Sequence, residues 1–201
     1  YAAGGASAFF SDMLGNRTLG VMVLAQGSFK DIGGQAFYVN KAKRLNWGVN
    51  GGRIPYLQGY AFQSLNADGS VNVTQVLQRI YLSQASLMGA YPFSTTRRVE
   101  GNVGIQRISF DLEELTYTYF FNQLVDHRQR SLDSRNAVNL ASVSLALVGD
   151  NSNSAFTSPV SGGRYRLEVG QAIGIGTNSP SFTSVVADIR RYFSPSNSIT
   201  F

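Results

Sequence analysis

The strongest constraint on this chain is a two-residue alternation that returns, block after block, over most of its length. In GGRYRLEVGQAIG (residues 162–174), Arg164, Arg166 and Glu168 fall on one side of an extended strand, and Tyr165, Leu167, Val169 and Ile173 on the other. LNWGVNGG sets Leu45, Trp47 and Val49 against Asn46, Gly48 and Asn50, and RVEGNVGIQ sets Val99, Val103 and Ile105 against Arg98, Glu100, Asn102 and Gln106. Helical periodicity is almost absent. The alternation places strands at residues 3–11, 18–26, 34–39, 45–54, 74–91, 98–110, 139–149, 164–174 and 183–193. After Arg107 the apolar phase shifts to Ile108, Phe110 and Leu112, which reads as a bulge or as the strand leaving its packed zone.

Composition decides what kind of β-protein this is. Only 14% of the 201 residues are charged, against about 25% in an ordinary soluble domain. Gly (21 residues) and Phe plus Tyr (13 and 10) are abundant, and the aromatics argue against disorder. Gly, Asn, Gln and Ser dominate the polar faces, where a water-facing surface would carry more Lys and Glu. The net charge of +5 comes from basic residues scattered along strands and turns, never more than two in a row, which argues against a nucleic-acid patch. There is no Cys, so neither a disulfide framework nor a thiolate metal site exists.

The connections alternate in length. SDMLGN, NKAKR, PFSTT and SPSN are short, whereas long loops are expected at residues 55–73 and 111–136. Transmembrane barrels have short periplasmic turns and longer outer loops. If SDMLGN is a periplasmic turn, NKAKR, PFSTT, the NSNSAFTSPVSGG link and SPSN fall on the same side and both long loops on the other. The expected fold is therefore all-β: an antiparallel transmembrane β-barrel, of which this chain supplies about nine to ten meandering strands. Leu45, Trp47, Val49, Tyr165, Leu167 and Val169 would face lipid, and the charged faces would look into a lumen. A soluble β-sandwich, its apolar face dry and its polar face in water, is the rival architecture.

Arg164, Arg166, Glu168, Asp188 and Arg190 form the densest charge group. They are expected to share the lumen face of two consecutive strands, with cross-strand pairs such as Glu168 with Arg190 or Arg166 with Asp188. That group is either a functional cluster of the lumen or an internal ion-pair ladder that satisfies its own charges. His127, the only histidine, lies in VDHRQRSLD with Asp126, Ser131 and Asp133 nearby, but no Gly-x-Ser-x-Gly elbow accompanies it. A solvated outer loop is the reading of that segment. No catalytic, cofactor-binding or metal-binding residue is assigned. Tyr91, Phe93, Tyr192 and Phe193 flank short turns, as interface aromatics do.

At FFSDMLGNRTLGV and VVADIRRYFSP the sequence resembles the outer-membrane assembly factors and bacterial surface antigens of the BamA type, with the two-partner secretion transporters. The Asp/Asn-x-Leu-Gly turn of those proteins matches Asp12, Leu14 and Gly15. TSPVSGGRYRLEVG resembles their entry into a later strand, carried by Pro159, Gly162, Gly163, Arg164 and Leu167, and NKAKRLNWGV resembles a turn-plus-strand of surface-antigen members. The resemblance implies a sixteen-stranded barrel in the bacterial outer membrane, preceded by periplasmic domains. It also implies insertion or translocation of nascent outer-membrane or secreted proteins, without cofactor or covalent catalysis. The opening YAAGGASAFF reads as mid-strand and the closing NSITF as a strand just starting, so the chain is expected to be a piece of a longer protein that carries the periplasmic domains and the lid loop. A passive porin-like diffusion barrel and a soluble β-sandwich binding module are the alternative functions.

Overall fold

The computed structural model describes residues 3–154, 159–177 and 179–193. Its strands are β1 (Ala3–Ser11), β2 (Arg17–Gln26), β3 (Ser28–Asn40), β4 (Asn46–Leu65), β5 (Val71–Pro92), β6 (Arg97–Phe120), β7 (Gln123–Leu132), β8 (Val138–Asp150), β9 (Asn153–Ser154), β10 (Pro159–Ile175) and β11 (Phe182–Tyr192). All belong to one antiparallel sheet in the order β1-β2-β3-β4-β5-β6-β8-β10-β11, with β7 paired to β6 and β9 to β10. The sheet is not closed: β1 and β11 are its two edges. No helix occurs among the described residues, so none is long and apolar enough to cross a membrane.

Each of the nine segments marked by alternation is a strand, and two further strands exist. The expected long loops are not loops. Residues 55–65 continue β4 and pair with β5 as far as Leu65 with Val71, around a turn with Gly69 at φ +82°. Residues 111–120 continue β6, which folds back as β7 through Phe121 and Asn122, both at positive φ. Such left-handed pairs make the tight turn that matches the twist of a hairpin. Strands β7 and β8 then occupy the same edge of β6 in succession, Leu132 opposite Leu112 and Val138 opposite Ile108. The SPSN turn and the NSITF end lie outside the described residues, as does part of the NSNSAFTSPVSGG link, in which β9 forms.

The phase change after Arg107 is not a bulge. The β5–β6 register runs unbroken from Val71–Tyr119 to Pro92–Arg98. Backbone and register continue while the polarity of each face inverts. Between Val99 and Ile105 the odd-numbered face of β6 is apolar, and beyond Arg107 it carries Asp111 and Glu113 while Ile108, Phe110 and Leu112 take the even-numbered face. The sheet thus has two regimes along its strands, divided near Ser83 and Arg107.

In the first regime the register builds uniform rows. Trp47, Gly89, Gly101, Leu145, Val169 and Val185 form one row of one face. Gly48, Met88, Asn102, Ser144, Gly170 and Ser184 form the adjacent row of the other. The second face is concave: one cavity of about 570 Å³ touches Val39 and Lys41 at one side and Arg166 and Glu168 at the other. Few apolar side chains are buried anywhere, because the single sheet has no second layer to cover them. Leu145 and Val185 are 63% and 73% exposed on the face opposite the cavity. The described residues therefore lack the paired sheets that a sandwich requires.

Candidate functional site

The cavity on the concave face mixes small and polar residues with Val39, Trp47 and Met88, and carries charges at one end. Asn46, Asn102 and Ser144 line it, and Asn50 Nδ2 donates to Ser86 Oγ at 2.8 Å on the same face. Toward the turn at residues 93–96 the lining becomes Arg98, Glu100, Arg166 and Glu168. The register explains why these four meet. Glu100 and Glu168 both stand opposite Ala146, and Arg98 and Arg166 both stand opposite Val148. Arg166 crosses the small Ala146 side chain, donating from Nη1 to Glu100 Oε2 at 2.6 Å and from Nη2 to Glu168 Oε2 at 2.7 Å. Arg98 Nε holds the other oxygen of Glu100, also at 2.6 Å. Ala146 and Val148, each 4% exposed, lie beneath this bridge.

All five residues of the sequence-derived charge group, Arg164, Arg166, Glu168, Asp188 and Arg190, have the parity of the concave face. Their pairing differs from expectation. Arg166 stands opposite Asp188 in the register but turns toward β6 instead. Asp188 is bound by Arg190 on its own strand at 2.7 Å, and Glu168 by Arg166 on its own strand. Residues two apart on a strand share a face, and Arg is long enough to fold back along it. Arg164 instead pairs with Asp150, at 3.7 Å. Glu100 and Arg98 are the members that strand-by-strand reading missed, since β8 intervenes between β6 and β10.

Five of the six residues assigned to an apolar outer face, Leu45, Val49, Tyr165, Leu167 and Val169, are outside the cavity lining, and Trp47 touches it. Leu45, Trp47, Val49, Leu167 and Val169 are exposed. Tyr165 is half-buried, its ring lying over Gly149, where an added Cβ would sit 2.3 Å from it. Trp47 packs against Tyr38 with ring centroids 5.5 Å apart. In the first turn, Asp12 Oδ1 accepts the Arg17 N–H at 3.1 Å, Gly15 N donates to Asp12 O, and Gly15 adopts φ +68°. The turn thus needs Asp12 and Gly15 for its geometry, whereas Leu14 is exposed.

A second charge cluster, invisible in the sequence, sits at the opposite end of the strands. Arg79 of β5 donates from Nε to Asp31 of β3 at 2.8 Å and from Nη1 to Glu113 of β6 at 2.5 Å. Lys30 Nζ reaches Glu113 Oε1 at 3.2 Å, Gln129 Nε2 donates to the same oxygen, and Ser28 Oγ donates to Asp31. Asp31, Arg79 and Glu113 are 2%, 5% and 4% exposed. Burial alone would raise the Glu113 pKa, but the hydrogen bonds from Gln129, Arg79 and Lys30 outweigh it and hold the carboxyl at about 2. Burial likewise opposes the Arg79 charge, and Asp31 and Glu113 more than offset it, raising its pKa. Residues 30, 79 and 113 are too distant in sequence for any local pattern to join them.

His127 lies on β7, not in a loop. It is exposed, its ring 5.1 Å from that of Tyr117, and its imidazole makes no hydrogen bond or ion pair among the described residues. Among the described residues no group of three or more His, Cys, Asp or Glu is placed to hold a metal ion. The carboxylates that do converge, Asp31, Asp111 and Glu113, are occupied by Arg79 and Lys30. No protein-family model matches the chain, and no curated protein and no solved structure matches it either.

Proposed function

We propose that this chain is a segment of a transmembrane β-barrel of the outer-membrane assembly type, working in the insertion or translocation of other proteins. The observation that carries the membrane reading is an uncharged belt across the whole sheet. β1, residues 18–26 of β2, 32–40 of β3, 46–52 of β4, 80–92 of β5, 101–106 of β6, 138–149 of β8, 169–175 of β10 and 182–187 of β11 contain no Asp, Glu, Lys, Arg or His on either face. On the outward face of β6 the belt runs from Arg97 to Arg107, about 34 Å along the strand at ~3.4 Å per residue. A strand tilt of about 40° reduces this to roughly 26 Å, the height of the apolar band of an outer-membrane barrel. Within the belt the outward face is mainly apolar, with Gln171 and Thr183 bonded to each other near one end. The concave face sets Asn50, Ser86, Asn102 and Ser144 beside Phe37 and Met88, a contrast that a lipid exterior and a wet interior favour. The two open edges of the sheet fit a segment whose neighbours complete the barrel.

The assembly role rests on the resemblance at Asp12, Leu14, Gly15, Pro159, Gly162, Gly163, Arg164 and Leu167. It would operate by strand pairing at the barrel seam and local disturbance of the bilayer, so no side chain here is assigned a chemical step. Proteoliposomes carrying the intact parent protein provide the test. Faster folding of an unfolded outer-membrane barrel into them than into empty liposomes is the expected result. A steady ohmic conductance with no effect on client folding would establish the diffusion-barrel alternative instead.

A further inference from the structure

The fold collects charges that are scattered in the sequence. The end of the sheet that carries the short turns holds ten of the 17 Lys and Arg and five of the 12 Asp and Glu, while the other end holds seven of each. The entire net charge of +5 therefore sits at the short-turn end. Its acids are already committed. Glu100, Glu168, Asp150 and Asp188 are ion-paired on the concave face, and the Asp12 carboxylate accepts a backbone N–H within its turn.

Of the uncommitted cations, Lys41 touches the cavity and the other four lie at the outward rim. Arg17, Arg97 and Arg191 share the face of the apolar belt, each two residues beyond its last outward side chain (Leu19, Val99 and Ile189). Lys43 precedes outward-facing Leu45 by the same two positions. All four are exposed and have no side-chain hydrogen bond or ion pair among the described residues. Arg44, beside them, donates to the Pro92 and Phe93 carbonyls and lies 4.8 Å from the centre of the Tyr91 ring, so it is held at the rim by neutral groups. Exposed aromatics, Phe10, Trp47, Tyr91 and Phe93, fall among these cations. A long cationic side chain two residues past an apolar belt can lie along that belt and carry its charge to the headgroup level.

We infer that the outward rim at the short-turn end binds the phosphate groups of anionic phospholipids in the adjoining leaflet, through Arg17, Lys43, Arg97 and Arg191. The inference rests on the transmembrane reading above and names a lipid partner for it. The belt places the four cations beside lipid, Asp12, whose carboxylate accepts the Arg17 backbone N–H, is the one acid of this end outside the concave-face ion pairs, and the neutral balance of the other end makes the preference one-sided.

The test uses the intact parent protein in bilayers containing trace spin-labelled phosphatidylglycerol or phosphatidylcholine, and measures the motionally restricted fraction of each. The expected result is a restricted population of both lipids, with phosphatidylglycerol favoured roughly five-fold, the weight of about one cation at an anionic surface. That preference should fall toward unity in 1 M salt, where screening reaches about 3 Å, and in a variant combining R17Q, K43Q, R97Q and R191Q. It should persist in R53Q/R107Q at the other end. The restricted phosphatidylcholine fraction reports that each variant is still inserted, and the salt dependence of the unmodified protein needs no variant. Restricted lipid without an anionic preference, or a preference lost equally in R53Q/R107Q, would overturn the headgroup assignment and leave the transmembrane reading standing. No restricted lipid of either kind would overturn both.

Discussion

Arg166 on β10 reaches across β8, over Ala146, and bonds Glu100 on β6 at 2.6 Å. The contact spans two strand spacings, and Ala146 is the residue that permits it. A larger side chain there would lift the guanidinium off Glu100. Ala146→Leu should therefore destabilise by about 1–3 kcal/mol, from overpacking plus the strained bridge. Val169→Ile, on the exposed opposite face, should be nearly silent. Urea unfolding of the refolded protein in detergent, followed by circular dichroism, compares the two.

The same bridge ranks its carboxylates. Glu100 binds two arginines, whereas the Asp188–Arg190 pair is largely exposed. Glu100→Ala leaves both Arg98 and Arg166 short of a partner and should cost on the order of 1–3 kcal/mol. Asp188→Ala, which removes a solvent-screened surface pair, should cost clearly less. Equal losses in the same unfolding assay would show that the bridge over β8 has no special weight.

At the other end, Arg79, Asp31 and Glu113 join β3 to β5 and β6, with Lys30 and Asp111 beside them. Glu113 has its pKa lowered from 4.5 to about 2 in the folded state. Its contribution is complete above the unfolded value and is lost as pH falls from about 4.5 to about 2; the shift corresponds to on the order of 3 kcal/mol. Amide protection at residues 28–33, corrected for intrinsic exchange, should decline across that window. Glu113→Gln should show reduced protection already at pH 7 and a flatter profile below pH 4.5.

Glycine 52 and glycine 89 lie on the paired strands β4 and β5 but differ in surroundings. A Cβ on Gly52 would fall 2.5 Å from the Gly34 carbonyl oxygen, a backbone atom that cannot step aside, whereas one on Gly89 meets nothing within 4 Å. Gly52→Ala should cost about 1–3 kcal/mol, and Gly89→Ala should be neutral or slightly stabilising. Thermal unfolding midpoints of the two variants decide the matter.

The parts of this structure legible in the sequence are those held by local alternation. Residues such as Trp47, Val103 and Leu167 declare their face two positions at a time, and the turn at Asp12 and Gly15 declares its geometry. The extensions of β4 and β6 were hidden because face polarity inverts past Arg53 and Arg107, and an inversion of polarity in an unbroken register looks in one dimension like a break. The Glu100–Arg166 bridge and the Arg79 cluster were hidden for another reason: each joins strands that are not neighbours in sequence. The one-sided charge was hidden because a meander returns to the same end only at every second turn, so cations at 17, 43, 97 and 191 look scattered until the strands are laid side by side.

The central claim, that the belt crosses a bilayer with its two faces in different media, is best tested by a nitroxide scan of β6. The chain has no Cys of its own, so single cysteines at positions 98 to 106 can be spin-labelled in the membrane-inserted protein. Relaxation by oxygen, which concentrates in lipid, and by a polar nickel chelate, which stays in water, should alternate with a period of two. Oxygen access should peak at positions 99, 101, 103 and 105, with chelate access at 100, 102, 104 and 106. High chelate access at both sets, or failure of the protein to insert, would contradict the account.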